Sequence, residues 1–440
     1  DMRWLIALAC LAAIHAHNPL PLPPLGWSTW NTFKCKINDT LVRESILALA
    51  ESPVRRAGYE WILIDDCWTT CLKRDQESRA CLEPGPRDSK TGRIIPGENF
   101  PNGFQELTKL AHDKGLRIGI YTSVSNITCG GFVGSFEHEA IDAKAFAEWG
   151  FDFVKHDTCG VDYTVHGGGL QNATMRMRDA LYTEGRGRIV YYLDSGNPTS
   201  PQRVFNPHQR HVKNQEALKK LAVNPHELVW VWATELGDES DFKGPHMFKS
   251  WFDVEDKWGS TLTNLHNQIR IAEYQRCGAF NNPDMLTVGM GGQTHGQYRA
   301  QFYLWVTLGA PLIMGNDVRT LDEFTVSLVT NPEVLSVNQD KDCVQGSLAR
   351  ALGATETWIK PLRDGTFAVT LLNKGGTSTN CTVFLDNGND WSIHEDFFPA
   401  SFPQMHVRDL GERKDLGIFH HVFSIEVPPM DAAIFKMSPV

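Results

Sequence analysis

The sequence predicts an α/β protein: a (β/α)8 TIM barrel followed by a C-terminal antiparallel β-sandwich. Three observations predict it. Short apolar runs alternate with helix-like stretches through the first three quarters of the chain. Two of those runs, Trp61-Ile62-Leu63-Ile64 and Phe151-Asp152-Phe153-Val154, stop at carboxylates: Asp65-Asp66 for the first, Asp157 for the second. After about Asp342 the pattern changes to short β-rich runs separated by Gly and Asn turns. A parallel strand covered on both faces reads as a near-continuous apolar run. Charges at its C-terminal end point into the barrel mouth, where such folds keep their chemistry.

Strand-like runs lie near 61–64, 116–121, 151–155, 188–193, 228–232 and 308–314. Between the first ones, residues 41–50 carry Val42, Ile46 and Leu49 at helical spacing. Residues 139–149 carry Ile141, Ala145 and Trp149 on one face, with Gly150 to stop the helix. Strands separated by helices imply βαβ units and parallel pairing. A stretch of about 300 residues suits an eight-stranded barrel with long loops. The alternative is an open doubly wound sheet, but no Gly-x-Gly-x-x-Gly follows an early strand, which weighs against a dinucleotide site. Beyond the barrel, Thr357-Trp358-Ile359, Phe367-Ala368-Val369 and Val383-Phe384-Leu385 are β-rich. Phe423, Ile425 and Val427 alternate with Ser424 and Glu426, as in a sandwich strand. The expected division is a signal peptide over 1–16, the barrel over 17–342 and the sandwich over 343–440. A Pro-rich stretch at 19–24 leads stiffly into the first strand.

The chain has 440 residues, 42% apolar and 21% charged, which fits a globular protein. Net charge is −10 with no basic block, so nucleic acid is not an expected partner. Met2-Arg3 precede an apolar run from Trp4 to Ile14, and small Ala16 follows, the pattern of a secretory signal. The run is too short to span a bilayer, so no membrane span is expected. Ten cysteines include Cys10 in that leader. An oxidising compartment permits disulfides among the other nine. No Cys-x-x-Cys pair occurs, so zinc is disfavoured and no metal is assigned. Nine is odd, which leaves at least one free thiol; Cys277, among apolar and small residues, reads as a buried one. Sequons at Asn38, Asn126, Asn172 and Asn380 point to a glycosylated secreted or endolysosomal protein, lysosomal or vacuolar in the second case.

The chemistry-bearing motifs come in a fixed order. Gly26-Trp27-Ser28-Thr29-Trp30-Asn31 is followed by Asp65-Asp66-Cys67-Trp68, Phe100-Pro101-Asn102-Gly103 and Tyr121-Thr122-Ser123. Then come Lys155-His156-Asp157-Thr158-Cys159, Phe252-Asp253-Val254, Asn282-Pro283-Asp284-Met285-Leu286 and Asn338-Gln339-Asp340. This order and spacing resembles glycoside hydrolase family 27, the α-galactosidase (melibiase) and α-N-acetylgalactosaminidase group. The resemblance covers about residues 20–345 well and the C-terminal part more loosely.

The resemblance implies a retaining mechanism on a (β/α)8 barrel, with Asp157 as nucleophile and Asp253 as acid/base. One carboxylate attacks the anomeric carbon and one carboxylic acid protonates the leaving oxygen, about 5–5.5 Å apart in a retaining enzyme. Asp157 must be ionised, which Lys155 on the same strand face would favour by lowering its pKa. Asp253 must hold its proton, through partial burial or a negative neighbour. Asp65 and Asp66 resemble carboxylates that accept hydrogen bonds from the sugar's 4- and 6-hydroxyls. Trp30 would wall one sugar face, and Tyr121 and Asp284 would line the site. Cys129–Cys159 matches a family disulfide beside the nucleophile, with Cys129 also at the substrate. Cys35–Cys67 matches another. Cys71–Cys81 is added from proximity alone. Taken singly these residues have plainer readings. A strand-end Asp often caps the next helix. Asp65-Asp66 could bind calcium. Asp256 could be mistaken for the acid by a shift of three, and His138 and His156 read as structural.

Two pocket positions depart from the family. Lys249 stands where the family has arginine, and a point charge does not replace a rigid fork. Asp194 stands where α-galactosidases have glutamate, and Leu193 replaces a family cysteine, so that disulfide is absent. Residues 197–231, including Asn206-Pro207-His208-Gln209-Arg210-His211, align with nothing in the family. The expected activity is hydrolysis of terminal α-D-galactosides of oligosaccharides, glycolipids or glycoproteins, without a cofactor. The alternatives are another sugar (an α-N-acetylgalactosaminide, β-L-arabinopyranoside or α-glucan) or a non-catalytic sugar-binding homologue. A homodimer is expected by resemblance only.

Overall fold

The computed structural model describes residues 18–159, 169–195, 244–249, 251–385, 402 and 404–440. The expected signal peptide, the run at 228–232 and the segment around Asn206 lie outside them. Strand β1 (Leu25–Ser28) lies against β2 (Trp61–Ile64) because position 26 is glycine: a Cβ there would meet the Trp61 carbonyl oxygen at 2.3 Å. A hairpin, β3 (Cys71–Arg74) and β4 (Cys81–Pro84), stands outside the barrel sheet. The barrel continues with β5 (Arg117–Ser123), β6 (Phe153–Asp157), β7 (Val190–Asp194), β8 (Met247–Lys249), β9 (Phe280–Asn282) and β10 (Leu312–Met314). The order is β10-β1-β2-β5-β6-β7-β8-β9, with every neighbouring pair parallel. A parallel bridge from Leu286, just past β9, to Met314 of β10 closes the ring.

Alternation sorts the strand side chains into two cores. Trp61, Leu63, Phe153, Val190, Tyr192, Met247 and Phe280 form one cluster, and Ile62, Ile64, Val154, Tyr191, Leu193 and Phe248 join the larger one that includes the helices. The helix Asp39–Glu51 is capped by Asn38, whose side chain accepts from the Leu41 N–H, and it buries Val42, Ile46 and Leu49. The helix Glu139–Trp149 ends at Gly150, whose φ of +88° suits a residue without a Cβ. Its buried face differs from the expected one. Ile141 is exposed, while Asp142 is buried with Arg87 gripping both carboxylate oxygens at 2.7 Å. A satisfied ion pair thus outcompetes an apolar side chain for the inner face. The run at 308–314 also divides: Leu308 ends the helix His295–Leu308, and the strand starts only at Leu312.

The C-terminal strands are β11 (Ser347–Leu352), β12 (Thr355–Pro361), β13 (Phe367–Asn373), β14 (Thr379–Phe384), β15 (Gln404–Asp409), β16 (Lys414–His420), β17 (Val422–Val427) and β18 (Asp431–Pro439). They form an antiparallel sheet β11-β12-β13-β18-β15-β16 and a facing antiparallel pair β14-β17. Val369, Leu371, Val383, Val407, Phe423 and Phe435 fill the space between them.

Cysteines pair as Cys35–Cys67, Cys71–Cys81 and Cys129–Cys159. A fourth bridge, Cys277–Cys343, corrects the reading of Cys277 as a buried free thiol: it is exposed, and its partner is brought to it from 66 residues away. The described free thiol is Cys381, buried in the sandwich. Among the described residues no helix is long and apolar enough to cross a membrane.

Candidate active site

Parallel pairing puts one rung of polar residues across the C-terminal edge of the barrel. Ser123 pairs with Asp157, Asp157 with Asp194, Asp194 with Lys249 and Lys249 with Asn282. Trp30 follows β1, Asp65 follows β2, and Asp253 comes four residues after Lys249. A pocket of about 630 Å³ opens over this edge, lined among others by Trp30, Asp65, Tyr121, Cys129, Lys155, Asp157, Cys159, Asp194, Trp251, Phe252 and Asp253. Most residues expected at the site therefore share one cavity. Trp251 and Glu255 are lining residues the sequence reading missed. The aromatic pair directly before Asp253 was the available signal for the first.

A chain of ion pairs runs beneath the pocket. Lys155 Nζ donates to Asp65 Oδ2 at 2.9 Å and lies 3.3 Å from Asp194 Oδ2. Lys249 Nζ donates to Asp194 Oδ2 at 3.0 Å and to Asp253 Oδ1, and lies 3.7 Å from Asp284 Oδ2. Burial alone would push both lysines down. The surrounding carboxylates, Asp65 and Asp194 for Lys155 and Asp194, Asp253 and Asp284 for Lys249, hold them well above the ordinary value. Both ammoniums stay charged, and each bridges acids from different strands.

Asp157 accepts from the Tyr121 hydroxyl at 3.1 Å and from the Thr158 N–H at 2.6 Å. Its helix-cap reading fails, because the next described helix begins at Gly169. Asp253 accepts from Trp30 Nε1 at 3.4 Å and keeps a half-exposed carboxylate. Asp256, three residues on, is committed elsewhere: it accepts from Gly292 N at 2.6 Å and the Tyr298 hydroxyl at 2.9 Å.

The proton distribution reverses the expectation. Burial and the nearby Asp194 push Asp157 up to about 8, against the pull of Lys155 and Lys249. Lys249 holds Asp253 well below the usual carboxylate range. The reason is geometric: Lys155 turns its ammonium to Asp65 and Asp194, and Lys249 gives its own to Asp253.

Three expected contact residues stand behind the pocket wall. Asp66 is buried, with Oδ1 accepting from Cys67 N and Oδ2 from Gly130 N, each at 2.6 Å. Those amides occupy a carboxylate that was expected to read hydroxyls or hold calcium. Burial raises it to about 6, against those hydrogen bonds. Asp284 is fully buried, its Oδ2 accepting from Val254 N at 2.7 Å, and it supports the Asp253 segment instead of lining the site. Lys249 is covered by its own three acids. Cys67 and Asp284 both have positive φ, +75° and +83°, a conformation costing about 1–3 kcal/mol that tends to collect at functional sites. The structural reading of the histidines agrees with their places. His156 is buried, its Nδ1 3.1 Å from the Tyr191 hydroxyl, and burial pushes it down to about 3. His138 Nδ1 lies 2.8 Å from the Phe136 carbonyl oxygen.

Two carboxylates in one cleft at the C-terminal face of a barrel are the equipment of glycoside hydrolysis. Comparison with known proteins agrees. The family model for alpha galactosidase A matches residues 22–214 and 230–340, and that for the alpha galactosidase C-terminal beta sandwich domain matches 352–437. The part of 197–231 outside the family pattern thus narrows to 215–229. The chain is 33% identical to a Dictyostelium discoideum protein named "Probable alpha-galactosidase", over 99% of this chain and 98% of that one. It is 31% identical to the alpha-galactosidase of Cyamopsis tetragonoloba, over 95% of this chain and 86% of that one. The structure of alpha-galactosidase I from Mortierella vinacea superposes with a TM-score of 0.76 at 26% identity, covering 97% of this chain and 98% of that one. The chain belongs to the α-galactosidase family of glycoside hydrolases.

Proposed function

We propose that the protein hydrolyses terminal α-D-galactosides with retention of configuration, through a covalent galactosyl–Asp157 intermediate. The observation that carries this is the presence of Asp157 and Asp253 in one pocket, with Lys249 joining Asp253 to Asp194, the β7 neighbour of Asp157. Asp157 attacks the anomeric carbon while Asp253 protonates the leaving oxygen; Asp253 then deprotonates the water that releases the sugar. Catalysis needs the proton on Asp253 and Asp157 ionised. A substrate hydroxyl that donates to Asp194 promotes this, because it weakens the negative charge that raises Asp157. Asp65 faces the cavity as an acceptor for the 4- and 6-hydroxyls. Asp194, which lines the pocket and is held by the buried Lys249, serves a free 2-hydroxyl in preference to an acetamido group. No cofactor enters these steps. Four disulfides and the exposure of Asn38, Asn126, Asn172 and Asn380 support a glycosylated protein of an oxidising, secretory compartment.

The test is hydrolysis of p-nitrophenyl α-D-galactopyranoside by the wild type and by Asp157→Ala, with and without azide. We expect wild-type turnover and a loss of at least about a thousandfold in the variant. Azide should restore turnover of the variant and give the β-galactosyl azide, since azide takes the vacated face. An inactive wild type would redirect the search to α-N-acetylgalactosaminides, β-L-arabinopyranosides and α-glucosides. An α-azide product would contradict retention through Asp157.

A further inference from the structure

The general acid must stand on the leaving group's side of the bond it helps to break, because it protonates the leaving oxygen. The aglycone therefore meets whatever surrounds Asp253. The two residues before it in the chain, Trp251 and Phe252, both line the pocket. Phe252 is 37% exposed, a large apolar ring left open to solvent inside a cavity that is otherwise rich in carboxylates.

The ring is held in place. Trp251 braces it edge-on, with centroids 5.3 Å apart and planes at 85°. The Phe252 carbonyl accepts from Asn264 Nδ2 at 2.9 Å, which ties its backbone to the helix Trp258–Asn267. Trp30, the other aromatic at the mouth, is already engaged. Its N–H donates to Asp253, and the Lys34 ammonium lies 4.8 Å from its ring centroid. The same pocket lining includes the exposed Glu255, three residues on, one of whose oxygens is taken by Lys257. A fixed apolar ring and a carboxylate in one lining match a pyranose, which presents a C–H face and a rim of hydroxyls.

We propose that Phe252, braced by Trp251, is the stacking platform for the first sugar of the aglycone, with Glu255 accepting from that sugar's hydroxyls. The proposal rests on the galactoside reading and adds the class of leaving group: a pyranose linked through oxygen to the galactose. The test compares two substrates. One is a disaccharide of galactose linked α to glucose. The other is methyl α-D-galactopyranoside, whose leaving group needs the same proton from Asp253 but has no ring to stack. The ratio of kcat/KM for the disaccharide to kcat/KM for the methyl galactoside should fall about tenfold in Phe252→Ala, mainly through KM for the disaccharide. Phe252→Trp, which keeps an aromatic face, should stay within about threefold of the wild-type ratio. An unchanged ratio in Phe252→Ala would overturn the platform, whether neither rate falls or both fall together, as they would if the variant merely displaced Asp253. A wild type that hydrolyses neither substrate would instead sink the galactosidase reading beneath it.

Discussion

Lys249 is the residue on which the charge balance of the site turns. Five carboxylates, Asp65, Asp157, Asp194, Asp253 and Asp284, share two ammoniums, Lys155 and Lys249. The surplus of acid is one reason why Asp157 rises to about 8. Asp157 feels the charge of Asp253, and the proposed mechanism needs one proton between the two. The basic limb of kcat/KM should therefore lie near pH 8, where that proton is lost. Lys249 lowers the pKa of Asp157, so its removal raises it, and in Lys249→Met the basic limb should move to higher pH while kcat/KM falls about a hundredfold. Lys249→Arg keeps the charge and should leave the limb in place. A limb that stays put or moves down in Lys249→Met would refute this assignment. The sequence made Asp157 and Asp253 legible, because each sits in a motif whose other members are chemically telling. It could not separate Asp65 from Asp66. The partner that removes Asp66 from the pocket is the amide of Gly130, 64 residues away, and a backbone donor leaves no mark in a side-chain pattern.

At the scale of the element, legibility followed burial and length. Strands β2, β5, β6 and β7 are buried on both faces over most of their four to seven residues, and their apolar stretches stand out as runs. Strands β8 and β9 have three residues each and end in Lys249 and Asn282, so their apolar signal is too short to rise above the loops. Strand β1 is hidden by Gly26, the residue that lets it approach β2. In β12 the β-rich run was visible, but which side chains face which core was not. Ile359 joins the sandwich core, so Trp358 and Lys360 turn towards the barrel, and Lys360 is fully buried with its ammonium donating to the Val344 carbonyl. Burial pushes Lys360 down to about 8, against Asp340 and Asp342. The folded value lies below the unfolded one, about 10.4. Between the two the unfolded chain binds more protons, so stability rises as pH climbs through that window. Lys360→Met should abolish this rise and increase Tm at neutral pH, since a buried cation held by one carbonyl is replaced by an apolar chain of similar length. Thermal melts from about pH 7 to 10 on both proteins read the effect; a variant that is less stable at pH 7 would show that the hydrogen bond outweighs the burial of the charge.

At the scale of the whole molecule, the barrel and the sandwich share a core. Trp358, Ala368, Leu372, Ala432 and Ile434 of the sandwich pack in the same cluster as Phe302, Trp305 and Val306 of the helix His295–Leu308, and that cluster also takes in Leu312 and Met314 of β10. Polar ties run alongside. Thr307 and Thr370 share a hydrogen bond at 2.6 Å, Arg408 grips Glu333 through two nitrogens, and Arg299 donates to both oxygens of the buried Asp431. A sandwich whose outer sheet face is buried in the barrel's cluster cannot unfold without stripping that helix, and the helix supports the β9–β10 closure through the Trp305 N–H on the Asp284 carbonyl at 2.8 Å. Calorimetry should therefore show one transition for the whole chain. Asp431→Asn removes the charge but keeps the shape. It should cost about 2 kcal/mol, less than the full penalty for a broken buried pair because Arg299 is 35% exposed and can find water. The single transition should then move to lower temperature without dividing. Separation into two transitions in either protein would mean that the sandwich is an independent passenger. Activity would then survive above the temperature at which the sandwich melts, whereas a shared core requires the two to be lost together.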